Sequence, residues 1–199
     1  MHLTPTAVTA PLGGARGSRE PAPEAIAQAT RSDDGIVIDE GGRSFDDFYT
    51  GARASIARAL ALSLGDVDLA TDATDEALAR AYERWPTVSR LDRPEGWVYR
   101  VAMNWALSIL RRRRRSDHRL YDPGADTAAV SDPDVHAALA ELDVKHRSVI
   151  VCRHLLGWSV ADTAAALNVR EGTVKSRLHR AHRILQSRLH HLRTPEELS

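Results

Sequence analysis

The chain has 199 residues, room for one medium or two small domains, and its 43% hydrophobic and 27% charged residues are the balance of a packed core, not of a disordered chain. A single cysteine, Cys152, excludes an intrachain disulfide and a cysteine-based zinc site. Formal net charge is zero but unevenly spread: residues 1–110 carry 11 Lys+Arg against 16 Asp+Glu, and residues 136–193 carry 10 against 4, so an acidic front and a basic back point to different partners.

The first residues show neither a basic leader nor an apolar stretch of signal-peptide length, and no run approaches a membrane span of about 18 apolar residues, so a cytoplasmic location with no membrane partner is expected. Residues 1–43 hold Pro5, Pro11, Pro21, Pro23 and six glycines with no sustained apolar period, and are expected to form a disordered tail. The run Ile36–Ile38 is too short to count as an element.

Order is expected from Ser44, a helix cap, with Phe45, Phe48, Tyr49, Ala52, Ile56 and Leu60 at helical spacing and Gly65 as the stop. A second helix is expected from Val67 to Trp85, with Ala70, Ala73, Ala77, Ala81 and Trp85 as its apolar stripe and Pro86 closing it. Residues 87–94 then read as a loop. A third helix is expected from near Glu95 to Arg115, burying Trp97, Val98, Val101, Trp105 and Ile109. Arg100, Asn104, Ser108 and Arg111 share another of its faces, and it ends in five arginines, Arg111–Arg115. Such a run is by itself a solvated, dipole-favoured helix end; phosphate contact is the reading preferred because Asn104 lies on the same helix.

Residues 116–131, with Pro123, Gly124 and several aspartates, read as a linker. Asp132–Pro133 opens a second half whose core starts with Val135, Leu139 and Leu142, and the apolar run Val149–Leu156 stops at Gly157. With no useful strand-like alternation, the fold class is all-α: two small helical domains, 44–115 and 132–192, joined by a flexible linker and followed by a tail, 193–199.

The second half ends in a helix-turn-helix. Ser159–Asp162 is a cap-like start, Leu167–Asn168–Val169 a tight turn, and a helix follows from about Arg170 to Leu189. Val174, Leu178, Ala181 and Leu185 face its core, leaving Thr173, Lys175, Ser176, Arg177, Arg180 and Arg183 away from it. A recognition helix enters the major groove by its first turns, where its free N–H groups favour phosphate and Arg or Lys read guanine edges.

The segment Glu171–Ala181 resembles the region 4 signature of RNA polymerase sigma factors of the extracytoplasmic-function (ECF) group, and Gly96–Asn104 resembles their region 2 pattern. Ala70–Tyr82 is similar to the helix that grips the polymerase clamp, with Ala73–Thr74 and Leu78 standing where the family has larger apolar residues. The resemblance covers about residues 44–192. It implies a specificity subunit that binds core RNA polymerase at the β′ clamp helices through Asp72, Asp75, Glu76 and Arg80. It further implies −10 element capture by the loop Ser89–Pro94 with Arg100, Asn104, Ser108, Arg111 and Arg112. Reading of the −35 element falls to Arg170, Glu171, Thr173, Lys175, Ser176, Arg177 and Arg180. Promoter DNA and an anti-sigma protein are the further partners implied.

The alternative is a stand-alone helix-turn-helix repressor or activator that binds duplex DNA without polymerase. An enzyme is disfavoured: no catalytic triad, phosphate loop or paired-carboxylate motif is present, and no cofactor is expected. His179 with His182, and His190 with His191, lack a third ligand at metal spacing, so no metal is expected, and Cys152 reads as an inert buried thiol.

Overall fold

The computed structural model describes residues 30–31, 37–38, 43–116 and 133–189. Most of the expected tail, the linker and residues 193–199 lie outside these. Within the tail, Thr30–Arg31 (β1) pairs antiparallel with Val37–Ile38 (β2), which lies against the helical segments Phe45–Leu64 and Trp85–Val88. The Ile36–Ile38 run therefore does contribute a two-residue ladder, held by tertiary packing that no local pattern announces.

The first helix, α1 (Phe45–Leu64), begins where Ser44 Oγ accepts from the Asp46 and Asp47 amides at 3.1 and 3.5 Å. Those two carboxylates lie on the positive end of the helix dipole. It ends at Gly65, whose φ of 75° is left-handed and suits a residue without Cβ. Asp66 immediately caps α2 (Val67–Glu83), accepting from the Leu69 amide at 2.8 Å. The alanine stripe of α2 is wholly buried, and such small side chains let helix axes approach closely.

Here the structure corrects the expected boundary. Helix α2 ends at Glu83, and Trp85–Val88 forms a separate turn, α3, that takes the expected last residue of the helix, its stop Pro86 and the first two residues of the expected loop. Pro86 has no N–H and is tolerated only in a first helical turn, so the chain breaks at Arg84 and restarts. Trp85 stays in the core, donating from Nε1 to the Arg43 carbonyl at 2.8 Å and packing edge-on to Phe45 at 5.3 Å.

Helix α4 (Pro94–Ser116) crosses α1 and α2. Its buried face is Val98, Tyr99, Ala102, Met103, Ala106 and Leu110; of the expected stripe only Val98 is fully buried, and Trp97, Val101, Trp105 and Ile109 lie half-buried on the flank. The cause is that α4 is covered from two sides, by α1 and α2 and by a helix of the second half.

That half comprises α5 (Pro133–Ala140), α6 (Val144–Ile150), a π turn (Val151–Leu155), α7 (Val160–Leu167) and α8 (Glu171–Leu189). Helix α6 is capped by Asp143, which accepts from the His146 amide at 2.9 Å. After the π turn the chain reverses at Gly157, where φ is 66°. The two halves share one apolar core: α1 packs on α6 and the π turn, α4 packs on α7, and Leu142, Cys152 and Trp158 join the same cluster as Leu60 and Val98. The two helical domains foreseen from sequence are thus docked against each other.

Candidate nucleic-acid interface

The helix-turn-helix is fixed by local chemistry at both ends of α7. Ser159 Oγ accepts from the Asp162 amide at 3.0 Å while the Asp162 carboxylate accepts from the Ser159 amide at 3.1 Å and its hydroxyl at 2.7 Å, a reciprocal capping box. The Ser159 hydroxyl above all, then the Ser159 amide and the Arg93 guanidinium, hold the Asp162 carboxyl below its ordinary range against the opposing cost of burial. At the other end Asn168 adopts φ 52°, ψ 50°, and this left-handed residue turns the chain into α8.

Helix α8 is anchored by Val174 and Ala181, both fully buried, with Leu178 and Leu185 half-buried beside them. On the opposite side Arg170, Glu171, Lys175, Ser176 and Arg180 are exposed, and Thr173 and Arg177 are half-exposed. A Cβ at Gly172 would meet nothing within 4 Å, so the first turn presents open backbone to its surroundings. Six of the seven residues expected at a −35 element lie in α8, and Arg170 immediately precedes it. The cations are arrayed over the helix's N-terminal half, where a groove-reading helix needs them.

A second basic surface runs along α4. Asn104 and Arg111–Arg115 are exposed, and Arg100 and Ser108 are half-buried. Ser108 Oγ donates to the Trp105 carbonyl at 2.7 Å and accepts from Arg112 Nη2 at 3.1 Å, while Arg111 Nε reaches the Leu107 carbonyl at 3.2 Å. Short bonds back to the helix hold these long side chains on its surface. At the start of α4, Arg43, Asp47, Trp85, Asp92 and Glu95 line a polar cleft of about 490 Å³ against the Ser89–Pro94 loop. Ser89 itself is buried; its carbonyl accepts from Arg43 Nη1 at 2.5 Å.

The polar face of α2 is a third feature. Asp72, Asp75 and Arg80 are exposed and Glu76 is partly so. Asp75 accepts bidentately from Arg53 of α1 at 2.8 and 2.9 Å, and Glu76 pairs with Arg80 at 2.8 Å along the helix. Arg53, 22 residues upstream, went unnoticed in the sequence because nothing local links it to Asp75.

Residues 49–116 match the family described as Sigma-70 region 2, and residues 134–185 match Sigma-70, region 4. The ECF RNA polymerase sigma factor SigL of Mycobacterium tuberculosis is 36% identical over 142 residues, spanning 64% of this chain and 78% of that one. The RNA polymerase sigma-E factor of Streptomyces coelicolor is 32% identical over 143 residues, spanning 69% and 81%. The chain belongs to the ECF group of RNA polymerase sigma factors. Among solved structures, the sigma factor RpoE in complex with the anti-sigma factor NepR from Bartonella quintana superposes with a TM-score of 0.61 at 26% identity, covering 72% of this chain and 97% of that one.

The fold gives the departures of this sigma factor from its family a position. Ala73, Thr74 and Leu78 are all buried, and Thr74 Oγ1 donates to the Ala70 carbonyl at 2.7 Å. They belong to the core of region 2 and not to the polar face of α2. Among the described residues no helix is long and apolar enough to cross a membrane.

The interface between regions 2 and 4 was not visible in the sequence. Arg93 Nη2, from the loop before α4, meets the Asp162 carboxylate at 3.1 Å, and its guanidinium carbon lies 5.9 Å from the Trp158 ring centroid. Trp158 packs edge-on to Tyr99 at 5.5 Å. The Tyr99 hydroxyl shares a 2.8 Å hydrogen bond with Ser63 and touches Cys152 and Ser148. Burial pushes the Cys152 thiol up to about 12, so it stays protonated and unreactive, as its apolar surroundings implied.

Proposed function

We propose that this sigma factor recruits core RNA polymerase through the exposed side of α2 and reads a promoter at two places. Asp72, Asp75, Glu76 and Arg80 form the polymerase-facing surface, against the β′ clamp helices. The Ser89–Pro94 loop with Arg100, Asn104, Ser108, Arg111 and Arg112 takes bases of an opened −10 element. Unstacking a base costs a few kcal/mol, which a pocket and neighbouring cations can offset. Arg170, Glu171, Thr173, Lys175, Ser176, Arg177 and Arg180 lie on the −35 element. The protein acts in the cytoplasm as a specificity subunit, the chemistry of transcription belonging to the polymerase, and an anti-sigma protein restrains it.

The observation that carries this reading is the pairing, in one chain, of an outward-facing basic start to α8 with a region 2 whose α4 carries its own basic surface. A stand-alone helix-turn-helix regulator has no use for the second.

The test is reconstitution. Purified protein is added to cognate core polymerase, and transcripts are measured from a promoter panel in which −35 and −10 sequences are exchanged independently. Transcripts that depend on both elements support the reading. Tight duplex binding without any core-dependent transcript across the panel would sink it in favour of the stand-alone regulator.

A further inference from the structure

Where α1 meets the second half, an apolar groove of about 270 Å³ opens to solvent. Its walls are Leu62 of α1, Val135 and Leu139 of α5, Leu155 of the π turn and Leu185 of α8, so both halves build it. Val135 and Leu155 are each 40% exposed there. Single apolar side chains on a surface need no explanation, but several gathered in one hollow with a polar group at hand make a ligand site.

The groove carries one sign of charge. Arg58 lines it one helical turn before Leu62, and no acidic side chain is among the lining residues. Among the described residues no hydrogen bond or ion pair holds the Arg58 guanidinium, whereas Arg53 on the same helix is bound at two points by Asp75. His154 also lines the groove. Its Nε2 shares a 3.2 Å hydrogen bond with Nε2 of His182, and burial first, then the charges of His182 and Arg153, hold it below the ordinary histidine range. The imidazole is therefore a neutral wall at pH 7, and Arg58 is the standing charge.

Size decides the kind of occupant. A protein partner covers about 800 Å² and roughly 20–30 residues on each side of a stable interface. This hollow is far smaller and lies close to the range of small-molecule sites, which begins at about 300 Å³. At about 30 Å³ for each water-sized group, it holds roughly nine such groups. We propose that the groove binds a medium-chain carboxylate, with an aliphatic tail of about eight carbons against Leu62, Leu139, Leu155 and Leu185 and its carboxylate on Arg58. Guanidinium and carboxylate match in two parallel hydrogen bonds, and the tail removes apolar wall from water. An anion without a tail, or a tail without an anion, uses half of the site. Because the walls come from both halves, the ligand binds their docked arrangement and stabilises it by mass action.

The probe is sodium octanoate below its micelle concentration, titrated calorimetrically into the full-length chain, with thermal unfolding measured beside it. One octanoate should bind per chain and raise the unfolding temperature. Each methylene removed should weaken binding roughly fourfold, so butanoate should bind about 200-fold more weakly. Arg58→Gln should weaken octanoate about tenfold, the low end for a hydrogen bond to a charged group, and leave octan-1-ol binding unchanged. Leu155→Glu, which sets a carboxylate in the wall, should bind neither. Both positions are exposed, so each variant should keep the wild-type circular dichroism. Arg114→Gln combined with Arg115→Gln, on the arginine run of α4, should bind as wild type. No octanoate binding by wild type would overturn the proposal and leave the groove to a protein partner. Equal affinity for butanoate and octanoate, binding untouched by Arg58→Gln and Leu155→Glu, or binding abolished by the Arg114/Arg115 pair would overturn it as adventitious anion binding.

Discussion

Asp162 joins three roles in one side chain. It completes the capping box of α7, accepts from the Ser159 hydroxyl, and ties region 4 to Arg93 of region 2. Its carboxyl titrates below the ordinary range, chiefly through Ser159. The folded form therefore binds its proton less readily than the unfolded chain, so the stabilisation is present above about pH 3.9 and is lost as the pH falls through the folded value. Asp162→Asn keeps an acceptor oxygen but loses the charge, and is expected to cost about 0.3–1 kcal/mol at pH 7, the usual worth of a carboxylate in a first helical turn. The deficit should close in acid, where wild type has lost the charge too. Thermal melts of both proteins at pH 7 and at steps down through the acid range decide this, and a deficit that keeps its size as wild type becomes protonated would refute the electrostatic account. Arg180 and Lys175 act at the same scale but on function. Both are exposed, so alanine at either should leave folding and core binding unchanged while lowering promoter use. Each lost base contact is worth about 1–3 kcal/mol, or roughly 5- to 150-fold in binding. Gel-shift assays with holoenzyme measure the loss; an equal fall in core binding would mean that the two surfaces are misassigned.

At the scale of elements, the legible features were those written in short-range chemistry. Ser44, Gly65, the Ser159–Asp162 box and Asn168 all stand where caps and turns were read, because a cap needs only its own next three or four residues. The left-handed Asn168 can be tested directly. A β-branched side chain there clashes with the following carbonyl, so Asn168→Val should destabilise by about 1–2 kcal/mol, while Asn168→Gly should be close to neutral. Chemical denaturation of the two variants distinguishes them, and equal stability would show that the turn relaxes. What was misread depended on neighbours. Trp97 and Trp105 are the largest residues on α4, and hydrophobicity alone put them in the core. The buried arc keeps Val98 of that stripe and otherwise falls on Tyr99, Ala102, Met103, Ala106 and Leu110, because helices press on α4 from two sides. The break at Arg84 and the π turn after Ile150 were invisible for a related reason. Pro86 announces that a helix must stop, but not that a new turn restarts one residue earlier. The candidate site divides in the same way: the α8 residues were legible from periodicity, and Arg53, Arg93 and His154 were not, since each meets a partner on another element.

At the scale of the whole molecule, composition and the linker pointed to two domains, and the two halves do match two separate sigma regions. Their docking alters what stability means for the chain. Trp158 of region 4 is buried against Tyr99 of region 2, and Cys152 and Leu142 sit in the cluster that holds Leu60 and Val98. Loss of the Trp158 ring should therefore weaken both halves, by about 3–5 kcal/mol for a buried aromatic truncated to alanine. The other tryptophans, Trp85, Trp97 and Trp105, all belong to region 2. In Trp158→Ala the remaining fluorescence thus reports region 2 alone, while far-ultraviolet circular dichroism reports every helix. If the halves unfold as one unit, both signals should move together to the same lower denaturant midpoint, the mark of a single cooperative transition. If region 2 stood independently, fluorescence would keep the wild-type midpoint while the dichroism split into two steps, and the shared core would count for nothing in solution.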